Sequence, residues 1–224
     1  MTPIWLFDLD DTLHHASAHI FPHINQAMTD YVARHVGVNE DEANRLREDY
    51  WQRYGATLTG LMRHHGVVPQ HFLWHTHQFP QLEQQLVFDR AVKSMLRRLP
   101  GRKFVFSNSP IHYAEAVLDA MGIRDAFAAV WCIEQLRYTP KPFAPAFRRL
   151  LHREGLRPER CVMVEDSTDN LRTATSLEHR ADAFNDFAAR INTVLGNPDT
   201  GINTAVQRFF NQVEAVGRDP TSAA

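Results

Sequence analysis

Four short apolar runs stand out along the chain: Ile4–Phe7, Lys103–Phe106, residues 129–133 and Cys161–Val164. Each has the length and the β-branched or aromatic content of a buried strand. Around the last three, apolar residues recur at three- and four-residue spacing instead. Ala91, Val92, Met95, Leu96 and Leu99 form one helical stripe, stopped by Pro100-Gly101. Ile111, Ala114, Val117, Leu118 and Met121 form a second, stopped by Gly122, and Phe147, Leu150 and Leu151 belong to a third, closed by Gly155. Ser109 is placed to cap the second stripe, with Pro110 at its first helical position. Strand-helix alternation with short connections predicts a doubly wound parallel sheet of the α/β class.

Residues 14–88 break that rhythm, because helical patterning alone fills them. Ile24, Met28, Tyr31, Val32 and Val36 recur on one face up to Gly37. Asn39 followed by Glu42 resembles a capping box, opening a helix through Ala43, Leu46, Tyr50 and Trp51 that Gly55 closes. Two shorter helices are expected at 57–65 and 69–79. The pattern therefore predicts an all-helical cap domain, residues 14–88, inserted after the first strand of an α/β core made of residues 1–13 and 89–216. Its hinges fall near residues 14–17 and 86–88. In the tail, Phe184, Phe187, Ala188, Ile191 and Leu195 suit one helix and Val206, Phe209, Phe210 and Val213 another, with a frayed end over 217–224.

Composition narrows the partners. Of the 224 residues 44% are hydrophobic and 22% charged, as in ordinary globular domains, and a net charge of −2 gives no footprint for a nucleic-acid polymer. No apolar stretch approaches the roughly 18 residues of a membrane span. Cys132 and Cys161 each sit in an apolar run and read as small buried hydrophobes, not as a disulfide or metal pair. A soluble protein of a reducing, cytoplasmic compartment is the expectation.

Charge gathers where the strands end. Ile4–Phe7 runs into Asp8-Leu9-Asp10-Asp11-Thr12, and Asp8 and Asp10 share one face in extended geometry. Carboxylates so close repel unless a cation or shared proton intervenes, and the carboxyl ends of strands are where open α/β sheets place their ligands. A capping turn would explain such a cluster too, but metal-assisted chemistry explains it better. Ser107-Asn108 follow the second run, Lys141 stands between two prolines after the third, and Glu165-Asp166 end the fourth. Taken singly these are an ordinary turn serine, a surface lysine and a helix cap.

In order and spacing they resemble the four motifs of the haloacid dehalogenase-like superfamily: D-x-D-x-T, a strand-ending Ser or Thr, a Lys and a paired acid. The resemblance implies a Rossmann-like core and a Mg²⁺-dependent phosphomonoester hydrolase acting on a small phosphate ester. By that likeness Asp8 attacks phosphorus and becomes an aspartyl-phosphate, while Asp10 moves protons to the leaving group and from water. Mg²⁺ would be held by Asp8, Asp166 and the backbone carbonyl of Asp10, with Glu165 in support. Ser107, Asn108 and Lys141 would hold the phosphate. A dehalogenase typically lacks the second Asp, so Asp10 favours phosphatase chemistry.

The segment 54–61, Tyr-Gly-Ala-Thr-Leu-Thr-Gly-Leu, looks like the pyrimidine 5′-nucleotidase branch. This implies a UMP- or CMP-like nucleoside monophosphate as substrate, with Tyr54 and Thr57 as substrate contacts. A phosphatase for a sugar phosphate or phosphoglycolate, and a catalytically impaired relative, are the alternatives. Impairment enters because the family's usual fifth apolar strand is missing after Leu177, where Glu178-His179-Arg180 follow. Asp169 and Asn170 compete for a place beside the acid pair. His71, His75 and His77 are spaced as zinc ligands sometimes are, but no Cys, Asp or Glu nearby completes a set. His14 and His15 flank the nucleophile loop and read as solvated.

Overall fold

A computed structural model describes residues 2–178 of the chain. The tail helices, the frayed end and the missing fifth strand lie outside these residues. The four apolar runs form a parallel sheet of β1 (Ile4–Phe7), β2 (Lys103–Phe106), β3 (Ala129–Trp131) and β4 (Cys161–Val164), in the order β3-β2-β1-β4. The register aligns Phe7 with Val164 and with Val105, one residue before the end of β2, so the strand ends lie within one residue of one another. Strand β3 is two residues shorter than its apolar run. The Cys132 backbone N–H turns to the Gln135 side chain at 3.0 Å, which opens a turn instead of extending the ladder.

Side-chain alternation explains why these runs, Lys103 aside, are apolar on both faces. Trp5, Phe7 and Val105 enter one core with Val117 and Leu118, while Ile4, Leu6, Phe104 and Phe106 enter another with Phe147 and Leu150. A parallel sheet covered on both faces has no polar side to present. The covering helices are α6 (Ala91–Arg98), α7 (Ile111–Ala120), α8 (Ala144–Glu154) and α9 (Thr168–Glu178). Full burial of each large aromatic or aliphatic side chain contributes about 1.5–3 kcal/mol. Cys132 lies in this core, whereas Cys161 is only half-buried, which departs from the sequence expectation for it.

Between β1 and α6 the chain forms α1 (Ala16–Val32), a π-helical turn (Ala33–Gly37), α2 (Glu40–Tyr54), α3 (Thr57–His65), α4 (Pro69–Thr76) and a short α5 (Leu82–Gln85). Asn39 caps α2 by accepting the Glu42 N–H at 2.9 Å, and Gly55 ends it at φ +74°. Asp11, itself at φ +58°, accepts the Ser17 N–H at 2.9 Å and so holds the first turn of α1 from outside. These helices enclose a cluster that includes Tyr31, Tyr50, Leu61 and Phe72, and Ile133 and Tyr138 join it from beyond β2. The two connecting segments are themselves tied, His15 N–H to the Val87 carbonyl at 2.8 Å. Among the described residues no helix is long and apolar enough to cross a membrane.

Candidate active site

Parallel strands that end nearly level deliver their following residues to one place, and here that place is charged. Lys141 is 2% exposed and donates from Nζ to Asp8 Oδ1 at 2.8 Å and to Glu165 Oε2 at 2.6 Å. It is carried there by its own backbone. Its N–H donates to Asn108 Oδ1 at 2.7 Å, and its carbonyl accepts from Asn108 Nδ2 at 3.0 Å. The Asn108 side chain is therefore a clamp on the lysine loop, and the residue also lines the cavity. Ser107 is buried at the end of β2 and lines the cleft, its Oγ accepting the Ser109 N–H at 3.1 Å.

Asp8, Glu165 and Asp166 place carboxylate oxygens within 4.8 Å of one another. One ammonium among three carboxylates leaves two negative charges without a counterion when all are ionised. Burial, with Glu165 and Asp10 adding to it, raises the Asp8 carboxyl to about 7 despite the opposing pull of Lys141. Without a cation beside it, Asp8 therefore lacks the ready ionisation of an ordinary aspartate at neutral pH. Burial likewise raises Glu165 and Asp166, Asp8 adding to the effect on Asp166. On Lys141 the two carboxylates outweigh burial and hold the ammonium above its usual value. A hard, oxygen-only set with two charges uncompensated fits a divalent cation such as Mg²⁺.

Asp10 has a separate surrounding. Its Oδ1 accepts from the Tyr113 hydroxyl at 2.7 Å and lies 3.0 Å from His14 Nε2, and its Oδ2 accepts from the Ser109 hydroxyl. Burial by itself would raise its pKa, but these donors and the nearby imidazole prevail and hold it below the ordinary carboxylate range. Two expectations are corrected here. His14 is buried against Asp10 and not solvated. Ser109 is not a helix cap, because its hydroxyl is given to Asp10; Pro110 takes the cap position and the Ile111 N–H turns to the Glu134 carboxylate at 3.1 Å.

Both carboxylates open into a cavity of about 660 Å³ between the strand ends and the inserted helices. Thr57 lines it, but its hydroxyl donates to the Arg47 carbonyl at 2.8 Å and ties α3 to α2. Tyr54 does not line it. Its ring packs with Tyr50 and His64, its hydroxyl is 2.7 Å from His64 Nε2, and the Arg63 guanidinium lies over its face. Trp51, Gln52 and Asn25 face the cavity and carried no distinguishing motif in the sequence. Asn170 is buried and lines the cavity, whereas Asp169 is exposed and pairs with Arg172 at 3.0 Å. His71 and His75 gather with His35 around Tyr31, and His77 is buried elsewhere against Tyr113.

Comparison with known proteins agrees with this geometry. Phosphate metabolism protein 8 of Saccharomyces cerevisiae is 26% identical over 190 residues, which cover 78% of this chain and 59% of that protein. The chain thus spans little more than half the length of that relative. Among solved structures, CbbY from Rhodobacter sphaeroides in complex with phosphate superposes with a TM-score of 0.56 at 20% identity, over 78% of this chain and 82% of that one. A HAD phosphatase from Thermococcus onnurineus gives 0.54 at 21% identity, over 79% and 82%. These two likenesses establish the shared fold. Residues 4–177 match the family model of the haloacid dehalogenase-like hydrolases, and the chain belongs to that family.

Proposed function

We propose that the protein is a Mg²⁺-dependent phosphomonoester hydrolase acting on nucleoside 5′-monophosphates of the UMP or CMP kind. The observation that carries the chemistry is the pairing of a buried Lys141–Asp8–Glu165 cluster with an Asp10 held separately by Tyr113, Ser109 and His14, two carboxylates in two environments. Without a cation the raised carboxyl is Asp8 and the lowered one Asp10, the reverse of what a nucleophile and an acid need, so this division of work requires the charges that Mg²⁺ and phosphate would bring.

Lys141 holds Asp8 Oδ1, which fixes the rotation of the carboxylate and leaves Oδ2 outside that pair. Asp8 forms a bond to phosphorus as the ester P–O bond breaks, and the leaving oxygen takes a proton from Asp10. Asp10 reaches its protonated form because an arriving phosphate places like charge beside it, which raises its pKa. A water then attacks the aspartyl-phosphate, gives its proton to Asp10, and phosphate departs with Asp8 restored. Ser107 and the Lys141 ammonium stand at the strand ends to meet phosphate oxygens. Asp8 and Asp166 would hold Mg²⁺, with Glu165 shared between it and Lys141 and the Asp10 carbonyl as a further ligand. When bound, the ion neutralises the phosphate and keeps Asp8 ionised. The helical insertion over residues 14–88 acts as the cap that excludes bulk water and selects the leaving group.

The nucleotide reading rests on the likeness of segment 54–61 to the pyrimidine nucleotidases and on a cavity within the 300–1,000 Å³ typical of small-molecule sites. A panel of UMP, CMP, AMP, ribose 5-phosphate and phosphoglycolate, assayed with Mg²⁺ and with chelator, tests it. Turnover concentrated on UMP and CMP and lost with chelator is expected; a sugar-biased profile would replace the nucleotide reading. Asp8→Asn should abolish turnover and keep the fold, since it removes charge and nucleophilicity at nearly constant volume. Undiminished turnover in that variant would sink the mechanism.

A further inference from the structure

Trp51 is 61% exposed, the most exposed large apolar side chain among the described residues. Its position is not a random place on the surface. It lies on α2 and lines the same cavity as Asp8 and Lys141. Among the described residues no aromatic ring packs on it. Trp74, the other exposed indole, rests on the His112 ring at 5.1 Å and stands outside the cavity. An indole left in water at the wall of a charged site is surface available to a ligand, and every nucleobase has a π-face able to cover it.

The neighbours of Trp51 suit the edge of such a ring. Gln52 and Asn25 bring exposed carboxamides to the cavity. The Arg47 guanidinium donates to Asn25 Oδ1 at 3.1 Å, which fixes that amide and bridges α1 to α2. Carboxamides offer both donors and acceptors, which match the mixed edge of a pyrimidine as well as sugar hydroxyls, so it is the indole face and not the amides that has no partner on a bare sugar. The cavity thus has a phosphate end, at the strand termini, and a ring end, on α2.

We infer that Trp51 is the stacking platform for the base of a nucleoside 5′-monophosphate, and so the residue that separates nucleotides from sugar phosphates at this site. The inference rests on the phosphomonoesterase reading of the Asp8 centre. Steady-state kinetics of wild type, Trp51→Ala and Trp51→Phe on UMP and on ribose 5-phosphate test it, because the two esters share phosphate and ribose and differ by the base. Stacking of this kind corresponds to about a ten- to hundred-fold rise in KM for UMP in Trp51→Ala. The kcat on UMP and both constants on ribose 5-phosphate should stay within about twofold, and Trp51→Phe should recover most of the loss. A Trp51→Ala variant with unchanged KM for UMP, or with equal losses on both esters, overturns the assignment while leaving the phosphatase reading intact. So does a wild-type enzyme that hydrolyses ribose 5-phosphate as efficiently as UMP. No turnover of either ester by wild type with Mg²⁺ would instead overturn the reading beneath it.

Discussion

The Tyr113 hydroxyl donates to Asp10 Oδ1 at 2.7 Å, joining helix α7 to the loop after β1 across 103 positions of sequence. Burial and the negative charge of Asp10 raise the phenol far above its ordinary pKa, so it remains a donor at every working pH. Through this bond the helix following β2 sets the orientation of the residue proposed to move protons.

Tyr113→Phe therefore removes a hydrogen bond to a charged group without opening a cavity. Bonds of that class contribute about 1.5–3 kcal/mol, so kcat should fall roughly ten- to hundred-fold with KM nearly unchanged. The variant also loses one of the interactions that hold Asp10 low, so the limb of the pH–rate profile governed by Asp10 should move to higher pH. An unshifted profile with equal loss in kcat would assign Tyr113 to packing alone.

Lys141 is the sole cation paired with either Asp8 or Glu165 among the described residues. Lys141→Met keeps the stem and removes the charge, leaving two carboxylates buried together. Breaking a buried pair typically costs about 3–5 kcal/mol, so melting should drop by about 10 °C and turnover should be lost. Part of the loss should return at acid pH, where the stranded carboxyls bind protons; thermal melts at pH 5 and 8 measure it. A larger destabilisation at pH 5 than at pH 8 would contradict this account.

The fold was legible in the chain because its signals are local. Strand runs such as Cys161–Val164 and the stops at Gly55 and Gly155 act within a few residues, and Asp8 and Glu165 each follow a strand directly, while Lys141 stands in the loop between β3 and α8. What surrounds Asp10 was not legible. Ser109 and Tyr113 reach it from 99 and 103 positions away, and Ser109 carried a competing local signal as a helix cap. The substrate side misled by helical phase. Tyr54 lies four residues after Tyr50 and shares its packed side toward α3, while Trp51 and Gly55, also four apart, face the cavity. Aromatic content alone does not distinguish those faces.

Gly60 sits inside α3, where glycine ordinarily weakens a helix. Its reason is Tyr50: a Cβ at Gly60 would lie 2.2 Å from Cγ of that ring. Gly60→Ala should destabilise the protein by about 1–3 kcal/mol through overpacking, despite the better helix propensity of alanine. Adding Tyr50→Leu should return part of that loss, and a double-mutant cycle in urea would show the coupling. Strictly additive effects would mean that α2 and α3 do not meet at this pair.

His77 gives the stability of the protein an acid limit that does not pass through the catalytic carboxylates. It is 7% exposed, with Nδ1 2.9 Å from the Thr76 hydroxyl and its ring beside Tyr113. Burial depresses the imidazole to about 4, more than the attraction of Asp10 restores. The folded value lies below the unfolded value of about 6.5, so the unfolded chain binds the proton more readily. This contribution is complete above pH 6.5 and disappears as pH falls through 4, a loss of about 3 kcal/mol across the window. Asp8 and Glu165 have raised values and act in the opposite sense, so the whole-protein curve mixes both. The difference between wild type and His77→Gln isolates the imidazole. Urea midpoints of the two proteins should diverge most near neutral pH and converge toward pH 4, because wild type alone loses this stability on acidification. Parallel curves over that range would show that His77 is charged, or solvated, in the native state.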